Sequence, residues 1–152
     1  MNIAQITNNK EKQVITRFIL EALPDWFGIP KAREEYIENS KDNIFFCAYE
    51  EDKPVGFLYI QETGKDTAEL AVMGVLENYH RHGIGKALFE YAKNAAKEAG
   101  YSFLQVKTVQ MGRYEDYDNT NKFYLSLGFK EFEVFPTLWD EWNPCQVYVM
   151  AL

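Results

Sequence analysis

The spacing of apolar residues changes several times along this chain, and each change marks an element. "NIAQIT" is short and extended and reads as a strand. Residues 10–23 then set charged and apolar side chains at helical spacing, with Val14, Phe18, Leu20 and Leu23 on the apolar side. Pro24 ends that helix, because the residue before a proline is pushed out of helical geometry. "PDWFGIP" is a rigid aromatic loop, and its last proline opens a second short helix, "PKAREEYIENS".

Extended segments follow. "NIFFCAYE" and "VGFLYIQE" flank "EDKP", which has the composition of a hairpin turn. "TAELAVMGVL" is too apolar near its end for an edge strand. Beyond it lies "YHRHGIGKALFEYA", where a basic cluster runs into two glycines. Ile84, Leu88, Tyr91, Ala95 and Ala99 then recur at helical spacing, while Lys86, Glu90, Lys93, Asn94 and Lys97 fall largely on the other face. Gly100 is a natural stop. "SFLQVKTV" reads as a strand, residues 118–127 as a short helix ending at Gly128, and "FKEFEVF" and "QVYVMAL" as a closing strand pair around "PTLWDEWNP". The order is β-α-α-β-β-β-α-β-α-β-β, a mixed α/β sheet in one domain over residues 1–152.

Composition narrows the functions. At 152 residues with 47% hydrophobic side chains, the chain can bury a real core. Its net charge of −7 argues against general nucleic-acid binding, which needs clustered Lys and Arg, and suits a cationic substrate. Cys47 and Cys145 are far apart and match no metal-binding spacing; Cys47, inside "IFFCAY", reads as a small buried hydrophobe. The first residues lack the basic start and apolar stretch of a signal peptide, and no apolar run spans a bilayer. The expectation is a soluble cytoplasmic protein without membrane contact.

The glycine turn is the first candidate site. It sits between an apolar strand and an amphipathic helix, where first-turn N–H groups have no internal partner and the helix dipole adds positive potential. Glycines let that backbone approach an anion, and Arg81 and Lys86 add formal charge. A P-loop is excluded, since Ala87 follows "GIGK" and no glycine stands at the required distance. A dinucleotide fingerprint fails because Leu88 occupies its third small position. His80 and His82 have no third ligand at metal spacing, so no metal is expected. A turn shaped by two glycines, with no ligand at all, stays open at this point.

Two separated motifs resemble the GNAT superfamily of acetyl-CoA-dependent N-acetyltransferases. The first is the family's Gln/Arg-x-x-Gly-x-Gly/Ala turn, here His80-Arg81-His82-Gly83-Ile84-Gly85, with His80 departing from the pattern and Arg81 one place late. The second is "NTNKFYLSLGF", similar to the later helix that carries a tyrosine and closes on Gly-Phe, here Tyr124 and Gly128-Phe129. The resemblance implies a GNAT-like, mostly antiparallel, twisted sheet of about seven strands flanked by about four helices. It implies acetyl-CoA as co-substrate, an amine acceptor (a small molecule or peptide), and compatibility with a homodimer.

Residue roles follow from the same resemblance. Arg81, His82, Gly83, Ile84, Gly85 and Lys86 would hold the pyrophosphate, and the backbone of Met73, Gly74 and Val75 would pair with the pantetheine arm. Gly74 also suits close backbone approach on its own account. The family's asparagine is Tyr117 here, so Asn119, or Asn121, would take its contact with the cofactor arm. Glu69 stands where several members carry a catalytic glutamate, with Tyr59 and the acidic run Glu115, Asp116, Asp118 as substitutes; a solvated loop is the ordinary reading of that run. Tyr124 would protonate the leaving thiolate, and neither cysteine is proposed as a nucleophile. The rival reading from another class is a non-catalytic acyl-CoA-binding sensor or partner-binding module.

Overall fold

Asn8 starts the first helix: its Oδ1 accepts from the N–H of Glu11 at 2.9 Å, satisfying one of the orphan donors there. The computed structural model describes all 152 residues. In chain order they form β1 (Asn2–Ile6), α1 (Asn9–Glu21), α2 (Pro30–Ser40), β2 (Ile44–Glu50), β3 (Lys53–Gly64), β4 (Thr67–Val75), a 3₁₀ turn (Glu77–Tyr79), α3 (Ile84–Glu98), β5 (Phe103–Val109), α4 (Glu115–Ser126), β6 (Lys130–Phe135) and β7 (Cys145–Ala151). This is the order expected from the hydrophobic pattern, with the 3₁₀ turn added. The strands hydrogen-bond in the order β1-β2-β3-β4-β5-β7-β6. β4 and β5 run parallel; the β1–β2, β2–β3, β5–β7 and β6–β7 pairs are antiparallel.

Two compact units divide the chain. The first comprises Met1–Gln61 and Leu70–Ala99. Its core gathers Ile19, Leu20, Phe45, Val55, Phe57, Leu58, Leu88 and Phe89, all essentially free of solvent. Here two expected apolar stripes need correction. On α1 the buried residues are Lys12, Ile15, Thr16, Ile19 and Leu20, while Val14 and Phe18 are exposed. Positions 14 and 18 lie one turn apart, about 100° around the helix from 15 and 19. On α3 the buried set is Ile84, Leu88, Phe89, Ala92 and Ala96, and Tyr91 faces out. Leu20, Leu23, Ile84 and Leu88 are buried as expected, and packing turns each stripe so that Val14, Phe18 and Tyr91 fall outside it.

Lys12 shows what the α1 stripe accomplishes. Its Nζ donates to Lys41 O at 3.2 Å and Asn43 O at 2.7 Å, capping carbonyls just past the end of α2. Burial lowers the affinity of this amine for its proton, and Asp42 partly restores it.

The second unit comprises Glu62–Glu69 and Gly100–Leu152. Leu104, Val106, Phe129, Cys145, Val147 and Tyr148 fill its interior. α4 starts at Glu115, three residues before the expected boundary. The acidic run is therefore the first turn of this helix rather than a loop, which places Glu115, Asp116 and Asp118 at the positive end of the dipole. Asp118 Oδ1 also accepts from the N–H of Gly112 at 2.7 Å. In the loop before β7, Asp140 Oδ1 accepts from the N–H groups of Trp142 and Asn143 at 2.8 Å. Trp139 and Trp142 of that loop are exposed.

Candidate active site

In the first unit the glycine turn is a backbone device. The chain leaves the 3₁₀ turn, extends at His80, and enters the left-handed region at Arg81 (φ 65°) and again at Gly83 (φ 78°). A non-glycine residue there is strained by roughly 1–2 kcal/mol, so Arg81 persists only because its surroundings impose the shape. Gly83 is the N-cap of α3 and offers no side-chain cap; the first helical bond runs from Ala87 N to Gly83 O. The N–H groups of Ile84, Gly85 and Lys86 are thus left for an outside acceptor. A Cβ built on Gly83 would meet nothing within 4 Å, so the space beside this glycine is open. Arg81, His82 and Lys86 are exposed around them. These features fit a pyrophosphate.

His80 has a defined place. Its Nε2 lies 2.6 Å from Val75 O, and since a carbonyl only accepts, the ring N–H is the donor. Trp26, from the loop between α1 and α2, meets the same ring edge-on at 5.6 Å. The departure from the family pattern at this position is therefore a tie between the turn and the end of β4.

The end of β4 has one edge turned away from β3. Leu76 N donates to Val55 O at 2.9 Å, so alternation directs the N–H and C=O groups of Val75 and Met73 to the other edge. Gly74 belongs to the β3 side. Its absent side chain serves packing: a Cβ there would sit 3.1 Å from Ile19, 3.2 Å from Phe57 and 3.3 Å from Leu23. The close approach expected at this glycine is thus made by core side chains of the first unit.

The second unit assembles side chains. Glu69 pairs with Gln105 across the parallel β4–β5 ladder. Lys107, two residues further along β5 and on the same face, brings its Nζ to 2.8 Å from Glu69 Oε1. The Glu69 side chain is 17% exposed, so it is neither an ordinary solvent-facing strand residue nor sealed in the core. Tyr124 on α4 is buried, and its hydroxyl is pushed well above the usual phenol range, first by burial and then by the negative charge of Glu69. Its ring packs edge-on to Phe129 at 6.0 Å and tilted to Tyr148 at 6.3 Å.

Asn121 fixes the helix that carries this tyrosine. Fully buried, its Nδ2 donates to Val109 O at 2.8 Å and Tyr117 O at 2.7 Å, and its Oδ1 accepts from the Tyr148 hydroxyl at 2.6 Å. That amide is spent on internal bonds. Asn119 is exposed on the same helix.

Of the substitutes for Glu69, Tyr59 is a core residue whose hydroxyl donates to Tyr36 O at 2.8 Å and is held protonated by burial. Both cysteines are free and fully buried, with thiols pushed up to about 12 at Cys47 and about 11 at Cys145. No cluster of three or more His, Cys, Asp or Glu side chains gathers where a metal could bind. Lys107 and Tyr148 were not foreseen. A lysine in "FLQVKTV" mirrors the glutamate in "TAELAVMGV", but only the strand register brings the two together.

Comparison with known proteins identifies the family and the fold. Residues 41–131 match the family described as the acetyltransferase (GNAT) domain. An uncharacterized N-acetyltransferase of Chlorobaculum tepidum is 28% identical over 120 residues, which is 77% of this chain and 70% of that protein. Among solved structures, a GNAT-family protein from Desulfovibrio desulfuricans aligns at a TM-score of 0.86 with 17% identity, covering 99% of this chain and 98% of its own. An aminoglycoside 6'-N-acetyltransferase complexed with coenzyme A aligns at 0.78 with 18% identity, covering 99% and 97%. The fold is shared with both, and the family match spans more than half of the chain, with the strained glycine turn and its free N–H groups inside it. The chain belongs to the GNAT family and is an acetyl-CoA-dependent N-acetyltransferase.

Proposed function

We propose that residues 1–152 act as one N-acetyltransferase domain in which a primary amine attacks the acetyl-CoA thioester directly, Glu69 receives the amine's proton and Tyr124 protonates the departing thiolate. What carries this reading is the meeting of two oppositely suited groups in the second unit: a partly accessible carboxylate, and a phenol whose proton that carboxylate's charge helps to retain. An alkyl ammonium near pKa ~10.4 costs about 4–5 kcal/mol to deprotonate at neutral pH, so a nearby carboxylate, directly or through water, has a real task. Tyr124, with its pKa raised, stays protonated throughout the neutral range and is a donor at every turnover. Acetyl-CoA supplies the activated acyl group. The N–H groups of Ile84, Gly85 and Lys86, with Arg81 and His82, would hold its pyrophosphate, and the outward groups of Met73 with the N–H of Val75 would pair with the pantetheine arm.

No acyl-enzyme is required, because both cysteines are buried and their thiols firmly protonated. The net charge of −7 favours a cationic acceptor such as a small amine, polyamine, aminoglycoside or lysine-bearing peptide. No helix is long and apolar enough to cross a membrane. Free thiols and a metabolic co-substrate support a cytoplasmic setting.

Thiol release from acetyl-CoA across a panel of those four amine classes tests the reading. Glu69→Gln and Tyr124→Phe should each lower kcat by about a hundredfold or more while coenzyme A still raises the melting temperature. Unchanged turnover in both variants would remove the catalytic assignment.

A further inference from the structure

We propose that Lys107 is the positioning residue for the Glu69 carboxylate; this rests on Glu69 being the proton acceptor. Three observations point to it. The parallel register sets Glu69 beside Gln105, so alternation brings the next same-face residue of β5, Lys107, alongside the carboxylate. Its Nζ reaches Oε1 at 2.8 Å. That oxygen is enclosed and makes no hydrogen bond, so the ammonium 2.8 Å away is what offsets its charge.

A carboxylate anchored through one oxygen loses rotation about its last torsion. Oε2 is then presented in a fixed direction, which a base needs if it is to meet the proton of a bound ammonium. The ammonium also offsets the carboxylate's charge locally. Cys145 registers both partners, Lys107 favouring its thiolate and Glu69 opposing it, and Tyr124 registers Glu69. Removing Lys107 leaves a part-buried anion without its counter-ion, free to turn toward water.

Lys107→Met keeps most of the stem and removes the charge; Lys107→Arg keeps the charge. With the best acceptor of the amine panel, Lys107→Met should lower kcat roughly ten- to fiftyfold while acceptor KM changes less than about threefold. Lys107→Arg should recover most of that loss. In a Glu69→Gln background, Lys107→Met should add almost nothing, because its effect runs through the carboxylate. The carboxyl ¹³C resonance of Glu69, assigned by its disappearance in Glu69→Gln, gives a readout that needs no acceptor. It should shift in Lys107→Met and return in Lys107→Arg. Coenzyme A stabilisation verifies folding, and Lys107→Gln carries the comparison if Lys107→Met fails that control. A wild-type kcat in Lys107→Met, an equal loss on the Glu69→Gln background, or an unmoved resonance overturns the proposal. If Glu69→Gln itself keeps full turnover, the base assignment falls and this inference with it. Impaired Glu69→Gln beside intact Lys107→Met removes the inference alone.

Discussion

The two units differ in the materials they present. The first offers main chain: unpaired N–H groups at the start of α3, and a turn bent through two left-handed residues. The second offers side chains: a carboxylate tied to a lysine, a phenol in the core, and an amide whose bonds are all internal. A main-chain device tolerates side-chain change provided the φ angles survive, and the His80 ring helps to hold them by its bond to Val75 O. A side-chain device tolerates far less, because each group is placed by its neighbours' burial and charge.

That contrast can be broken by experiment. The largest effect should come from Tyr124→Phe, which removes one oxygen: turnover falls by about two orders of magnitude or more with coenzyme A affinity nearly unchanged. Gly83→Val should do the reverse. It forces a branched residue to φ 78°, so affinity for coenzyme A, read by calorimetry, should weaken about tenfold, with the saturated rate changed much less. If the two variants failed to cross over in this way, the division of labour would be wrong. Tyr148→Phe sharpens the picture within the second unit. Losing the donor to a buried Asn121 oxygen should cost about 1–2 kcal/mol of stability in denaturant melts, with turnover reduced more than cofactor binding. The smallest effect belongs to Phe18→Lys on the outer face of α1, expected within about 0.5 kcal/mol of wild type; a larger loss would return Phe18 to the core.

Reading the chain alone captured what is local. Strand and helix order followed from period, the Pro24 and Gly100 stops from backbone chemistry, and the glycine turn from motif spacing. The faces of α1 and α3 did not follow, because Val14 and Phe18, or Tyr91 and Ala95, are apolar pairs at helical spacing as acceptable as the ones packing selected. The early start of α4 was hidden because an acidic run suits a helix N-terminus as well as a solvated loop. Glu69 and Tyr124 enter as candidates through resemblance, whereas Lys107, Asn121 and Tyr148 make contacts that span long stretches of chain: Tyr148 meets Asn121 from 27 residues away, and only register reveals such meetings.

The buried thiols have a use unconnected with acetyl transfer. Cys47 lies in the first unit and Cys145 in the second, each shielded and held protonated. In the native state neither should react with an alkylating reagent, so labelling reports only transient opening. Each unit therefore carries its own chemical clock. Mass spectrometry of the two cysteine peptides after a short reagent pulse would show whether the backbone grip and the side-chain cluster open together or one before the other.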